Sequence, residues 1–272
     1  MTEISDTFAD LKSKNEGALI AYVTAGDPNL TKSSLIVEAL VKGGADIVEL
    51  GIPFSDPIAD GPTIQNAVLR SLANGCRPLD VIRIAQKVRE NYEIPLVAMT
   101  YYNPIFRIGL SKFLHLAQGA GISGMIVPDL PIEESHTYKK ECRANDVDTI
   151  FLASPSTDEI RLKQIAAQTS GYLYLISLYG VTGVRNKVAP EVLTLVRQCK
   201  TWLADSLHLP FAAGFGISKP EHVNRIIHAG ADGVIVGSAF VNIIEKEGRN
   251  LPQATKRLTR LAHSLKRATR FT

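Results

Sequence analysis

The chain has 272 residues, 45% of them hydrophobic and 21% charged, with a formal net charge of +3. That is the make-up of a globular protein long enough for one α/β barrel, with no apolar run near the ~20 residues that cross a bilayer and too little charge to point to nucleic acid. The opening Met1-Thr2-Glu3-Ile4-Ser5-Asp6 lacks the basic-then-apolar pattern of a secretory leader, so a cytoplasmic location and no membrane association are expected.

Short runs rich in Val, Ile, Leu and Ala predict strands over residues 18–24, 47–50, 96–100, 124–127, 149–152, 172–176, 211–213 and 233–236. Amphipathic stretches over 30–41, 79–89, 133–144, 158–167 and 221–228 predict intervening helices. Three segments repeat one unit, in which glycine ends a helix and a strand follows: Gly43-Gly44-Ala45-Asp46-Ile47, Gly119-Ala120-Gly121-Ile122 and Gly230-Ala231-Asp232-Gly233. Alternating strands and helices imply parallel strands joined by crossovers. Eight such strands favour a closed (βα)8 barrel over an open doubly wound sheet, as a single domain over residues 1–272 with extra N-terminal and peripheral helices. The open sheet is the alternative, but no Gly-x-Gly-x-x-Gly follows the first strand, so a dinucleotide site has no support.

Polar and special residues gather at the C-terminal ends of the strands, which form the chemical face of such a barrel. Alternation puts Ile47 and Glu49 on one side of their strand and Val48 and Leu50 on the other. A carboxylate is hard to satisfy among helix-packing residues, so Glu49 is expected to face the lumen. There, burial without a cation raises its pKa toward the range of a general acid/base. Asp56 and Asp60 share the next loop with Pro53, Pro57, Gly61 and Pro62; each suits a turn or helix cap as well as catalysis, and Glu49 nearby tips one of them toward chemistry. Gly214-Phe215-Gly216 and Gly237-Ser238 end the last two strands ahead of helices, where backbone N–H groups can grip a phosphate. Gly180-Val181-Thr182-Gly183 suggests a lid over that site. Tyr22, Met99, Tyr101, Ile126, Leu152 and Phe215 could line an aromatic-sized apolar pocket or simply pack a core. Six histidines lie off the strand ends and the three cysteines are isolated, so no metal site and no disulfide framework are expected. The basic residues Lys256, Arg257, Arg260, Lys266, Arg267 and Arg270 alternate with apolar ones and read as the solvated face of a last helix.

These motifs, in this order, closely resemble the tryptophan synthase alpha subunit over nearly the whole length. The resemblance runs through Tyr22–Pro28, Glu49–Gln65, Met99–Pro104, Val127–Pro131, Gly180–Gly183, Gly214–Ser218 and Gly237-Ser238; the block Pro53-Phe54-Ser55-Asp56-Pro57 through Asp60-Gly61-Pro62 is the most specific. It implies a barrel that cleaves indole-3-glycerol phosphate to indole and glyceraldehyde 3-phosphate. Glu49 would move the proton of the glycerol hydroxyl, Asp60 would steady the indole N–H, and Tyr174 would complete the catalytic set. Gly183, Phe215, Gly216, Gly237 and Ser238 would hold the phosphate, Thr182 would belong to the lid, and Ile64 would join Tyr22, Met99, Tyr101, Ile126, Leu152 and Phe215 around the indole. The resemblance also implies no cofactor in this chain and an alpha2beta2 heterotetramer with a beta subunit that carries pyridoxal phosphate and receives the indole. The loops 53–60 and 101–106 would face that partner. Tyr22, where the family often has Phe, and Leu178-Tyr179, where some relatives carry Arg, depart from the pattern. A stand-alone lyase, another phosphosugar-binding barrel such as an isomerase or cyclase, and a non-catalytic activator of a partner are the competing readings.

Overall fold

The computed structural model describes residues 2–176, 189–204 and 209–271. The strands are β1 (Ala18–Thr24), β2 (Ile47–Gly51), β3 (Leu96–Met99), β4 (Ile122–Ile126), β5 (Asp148–Ile150), β6 (Leu152–Ala153), β7 (Leu173–Ile176), β8 (Phe211–Gly214) and β9 (Gly233–Val236). The helices are α1 (Glu3–Ser13), α2 (Leu30–Lys42), α3 (Pro62–Ala73), α4 (Pro78–Arg89), α5 (Tyr102–Ile108), α6 (Leu110–Gly119), α7 (His136–Ala144), α8 (Glu159–Gln168), α9 (Pro190–Trp202), α10 (Pro220–His228), α11 (Ser238–Glu247) and α12 (Leu251–Arg267). All strand pairs are parallel, in the order β5-β4-β3-β2-β1-β9-β8-β7-β6.

The two ends of that order are consecutive in sequence. β5 and β6 are separated by Phe151 alone, and the Phe151 carbonyl accepts a bond from the Tyr174 N–H at 3.0 Å. One stave of the barrel is therefore broken in the middle: its first half pairs with β4, its second with β7, and the sheet closes through Phe151. The strand expected over 149–152 is this broken stave. The helix expected over 133–144 is also shorter: a 3₁₀ turn at Ile132–Glu134 precedes α7.

Alternation sorts the core into two layers. Leu19, Ala21, Val48, Leu50, Ala98 and Ala213 point outward into the helices. Ile20, Ile47, Val97, Ile126, Ile150, Tyr172, Ala212 and Ile235 fill the barrel interior. Ile4, Phe8 and Leu11 of α1 join that interior cluster and plug the barrel at the N-terminal ends of the strands. Gly124 makes room for the plug: a side chain there would approach the Ile4 Cδ1 to 2.8 Å. In α12, Ala254, Leu258, Ala262 and Leu265 are buried, and Lys266 reaches Asp46 at 2.9 Å and Glu16 at 3.1 Å. The plug leaves only the opposite end of the barrel as a mouth.

Candidate active site

β2 carries Glu49 into the lumen beside Tyr22 of β1 and Val97 of β3. Glu49 is 0% exposed and forms no ion pair among the described residues. Its Oε1 accepts a bond from the Tyr172 hydroxyl at 2.5 Å, while Oε2 has no partner among the described residues. Desolvation dominates, and the Tyr172 bond only partly offsets it, so the carboxyl is raised from 4.5 to about 7. Such a group exchanges a proton near neutral pH at little cost, which suits general acid/base work.

Tyr172 is the residue that sequence reasoning missed. Tyr172 stands just before β7 and points to the same side as Tyr174, which the family resemblance singles out. The contact with Glu49 spans 123 positions and exists only because the barrel closes. Tyr172→Phe should remove the one donor that favours the carboxylate, moving the Glu49 titration upward by about one unit. A ¹³C-carboxyl titration followed by NMR reads this directly; an unmoved or lowered Glu49 titration would refute the role given to Tyr172.

Asp60 lies at the mouth. It does not cap α3: Gly61 is the N-cap, with no side-chain cap bond, and Pro62 opens the helix. Instead Asp60 Oδ2 accepts from the Tyr101 hydroxyl at 3.1 Å, and that same hydroxyl accepts from the Ala59 N–H at 2.8 Å. The Phe54 and Tyr101 rings sit 5.5 Å apart, and Gln65 Nε2 donates to the Asp60 carbonyl at 2.8 Å. The loop is thus stapled at both ends, and Asp60 is held facing the pocket. Burial outweighs the Tyr101 bond and raises its carboxyl from 3.8 to about 6. Asp56 is exposed and, among the described residues, its carboxylate bonds only Ser55, so position separates the two aspartates.

A third strand-end carboxylate serves a different purpose. Asp27 takes a bidentate pair from Arg70 of α3, at 2.9 and 2.8 Å, and Arg70 also reaches Glu245 of α11 at 2.8 Å. Both carboxylate oxygens are committed, so Asp27 ties β1 to α3 and keeps no free edge for chemistry.

A cavity of about 140 Å³, open to solvent at its mouth, is walled by Tyr22, Asp60, Ile64, Met99, Leu152, Tyr174, Ile235 and Phe215. Gly214, Gly216, Gly237 and Ser238 complete its lining. Tyr174 stands over Gly214, where any side chain would come within 2.9 Å of its hydroxyl. Gly216 has φ +67, a left-handed conformation that glycine adopts without strain. α11 begins at this wall, and the first N–H groups of a helix lack partners within it, which favours an anion. Two expected wall residues sit elsewhere. Ile126 is fully buried in the interior layer beneath, because its place on β4 puts it level with Ile150. Tyr101 lies behind the wall, turned to Asp60 by the loop staple. Glu49 itself is below the cavity floor rather than on its lining. Thr182, Gly183 and the expected lid fall outside the described residues, as do Leu178 and Tyr179. Among the described residues no cluster of three or more His, Cys, Asp or Glu could hold a metal ion.

Comparison with known proteins matches this geometry. The sequence profile of the family described as "Tryptophan synthase alpha chain" fits residues 8–270. The tryptophan synthase alpha chain of Methanosarcina mazei is 51% identical over 265 residues, covering 97% of this chain and 93% of its own. That of Arabidopsis thaliana is 43% identical over 265 residues, covering 97% and 94%. Among solved structures, tryptophan synthase subunit alpha of Legionella pneumophila superposes with a TM-score of 0.89 at 36% identity, covering 99% of this chain and 98% of that one. The tryptophan synthase A-subunit of Pyrococcus furiosus gives a TM-score of 0.84 at 41% identity, covering 92% and 98%.

Proposed function

The chain belongs to the tryptophan synthase alpha chain family, and we propose that Glu49 and Asp60 carry out the family's lyase reaction in the cavity described above. That reaction is the retro-aldol cleavage of indole-3-glycerol phosphate to indole and glyceraldehyde 3-phosphate. It needs no cofactor in this chain; pyridoxal phosphate belongs to the family's beta subunit.

The observation that carries the assignment is the pair of desolvated carboxyls, Asp60 at the barrel mouth at about 6 and Glu49 in the lumen beneath it at about 7, with the N-terminus of α11 beside the cavity. The phosphate sits on the backbone N–H groups around Gly216, Gly237 and Ser238, with Phe215 beside them. The indole ring lies between Tyr22, Ile64, Met99, Leu152 and Phe215, with Tyr174 closing the end near Glu49. Asp60 accepts the proton of the ring nitrogen and so favours the indolenine tautomer, protonated at C3, that draws electrons from the side chain. Glu49 takes the proton of the hydroxyl next to the scissile bond and delivers it to C3 of the ring. The oxygen electron pair becomes the aldehyde C=O, the C–C bond breaks, its electrons pass into the ring, and Asp60 returns its proton to the nitrogen to give indole. Two carboxyls of different environment thus divide one reaction between them.

The partner is a beta subunit in an alpha2beta2 assembly within the cytoplasm. Ile58 and Phe106 are 82% and 69% exposed on the segments that would face it. Pro53, Phe54, Ser55, Asn103 and Pro104 line an adjoining groove, so the loop that carries Asp60 would be part of the contact. The purified chain given indole-3-glycerol phosphate should release indole, at least about tenfold faster once a beta subunit of the family is added. No indole under either condition would end the lyase assignment; indole at an unchanged rate would favour a stand-alone lyase.

A further inference from the structure

Two cavities meet at Asp60. Behind the main one lies a small side cavity, and Tyr22, Asp60 and Met99 form the wall between them. It has room for one water-sized group and is otherwise lined by Gly51, Ile52, Phe54, Val68 and Thr100, among others. The lyase chemistry uses neither of two hydroxyls found here. The Tyr22 hydroxyl occupies the space that a side chain on Gly51 would take, and its one side-chain partner is Thr24 Oγ1 at 3.3 Å, long for an O–H···O bond. Thr100 is 2% exposed, and its Oγ1 has no partner among the described residues. Buried hydroxyls left short of partners make a small cavity receptive to a polar group and unreceptive to an apolar one.

Resting on the lyase reading, we propose that this side cavity is a subsite for a single hydroxyl substituent on the aromatic ring of the substrate or product, bound by the hydroxyls of Tyr22 and Thr100. A bare indole ring leaves Thr100 Oγ1 without a partner among the described residues and the Tyr22 hydroxyl with only its long bond to Thr24. A ring hydroxyl of the right position reaches past Tyr22 and Met99 and pairs with both. The Tyr22 hydroxyl is then a specificity-determining group, distinct from the ring that packs on the indole face.

The experiment measures dissociation constants by calorimetry for indole and for hydroxyindoles bearing the hydroxyl on each benzo-ring carbon in turn. Wild type is compared with Tyr22→Phe and Thr100→Val. For at least one isomer, the ratio of its dissociation constant to that of indole should rise about fivefold in each variant, because each removes one hydrogen-bonding group. A ratio that stays level in either variant for every isomer overturns the subsite. Failure of wild type to bind indole at all overturns the lyase reading and the subsite with it, whereas indole binding with an unmoved ratio overturns the subsite alone.

Discussion

Glu49→Gln should lower the indole-forming rate by at least about 10³-fold while leaving the protein no less stable at pH 8. Glutamine fills the same space and its amide oxygen still accepts the Tyr172 hydroxyl, but it cannot take a proton. The stability half of the result follows from linkage. The folded pKa of Glu49, about 7, lies above its unfolded value of 4.5. Its contribution is therefore fully present below the unfolded value and is lost as pH rises through about 7. By pH 8 the wild type carries a penalty of about 3 kcal/mol for ionising this buried group, which the neutral amide does not incur. Denaturant midpoints of the two proteins at pH 5 and pH 8 check this: the gap should favour Glu49→Gln at the higher pH and shrink at the lower. The wild-type kcat/KM should fall with an acid limb near 7, since proton abstraction needs the carboxylate. A Glu49→Gln protein that cleaves at the wild-type rate would remove the central acid/base assignment. Gain of stability with loss of activity is the mark of a site kept strained for chemistry.

Asp60→Asn should cost about 10²-fold in kcat with a much smaller change in KM. Asparagine can still accept the Tyr101 hydroxyl through Oδ1, so the loop staple and the pocket shape persist. What disappears is the carboxylate that accepts the ring-nitrogen proton, on which the electron-sink tautomer depends. The wild-type acid limb should carry a second component near 6, from Asp60, and Asp60→Asn should lose it. Steady-state kinetics across pH 5 to 9 on both proteins tests this. A loss confined to KM would assign Asp60 to binding rather than to the reaction. The variant Asp56→Asn is the control: Asp56 is exposed and, among the described residues, its carboxylate bonds only Ser55, so its kinetics should stay within about twofold of wild type.

The two aspartates of that loop show how far local pattern reaches. Both sit among prolines and glycines, and both suit caps or turns. Only the packing of Phe54 and Tyr101, from a loop 41 positions away, turns Asp60 to the pocket and leaves Asp56 in solvent. Asp27 makes the same point in reverse. At a strand end it reads like Glu49, yet Arg70 claims both of its oxygens through a helix whose approach no periodicity reveals. The pocket wall was legible at Tyr22, Ile64, Met99, Leu152 and Phe215, but not at Ile126 and Tyr101. A strand residue's depth in a barrel depends on stagger between staves, and alternation does not encode stagger.

Alternation and strand-end chemistry, readable in the sequence by itself, determined the parallel barrel, the inward face of β2 and the glycine-led helix starts opposite it. These depend on neighbours in the chain, two to four residues apart. The tertiary structure alone decided which hydroxyl meets Glu49, which aspartate faces the pocket, and where the barrel closes through Phe151. Each of those is a contact between residues far apart in sequence, set by how the staves stagger and how helices pack on them. Glu49 is a costly carboxylate by sequence; in the closed barrel burial raises it to about 7, and the Tyr172 bond only partly offsets that rise.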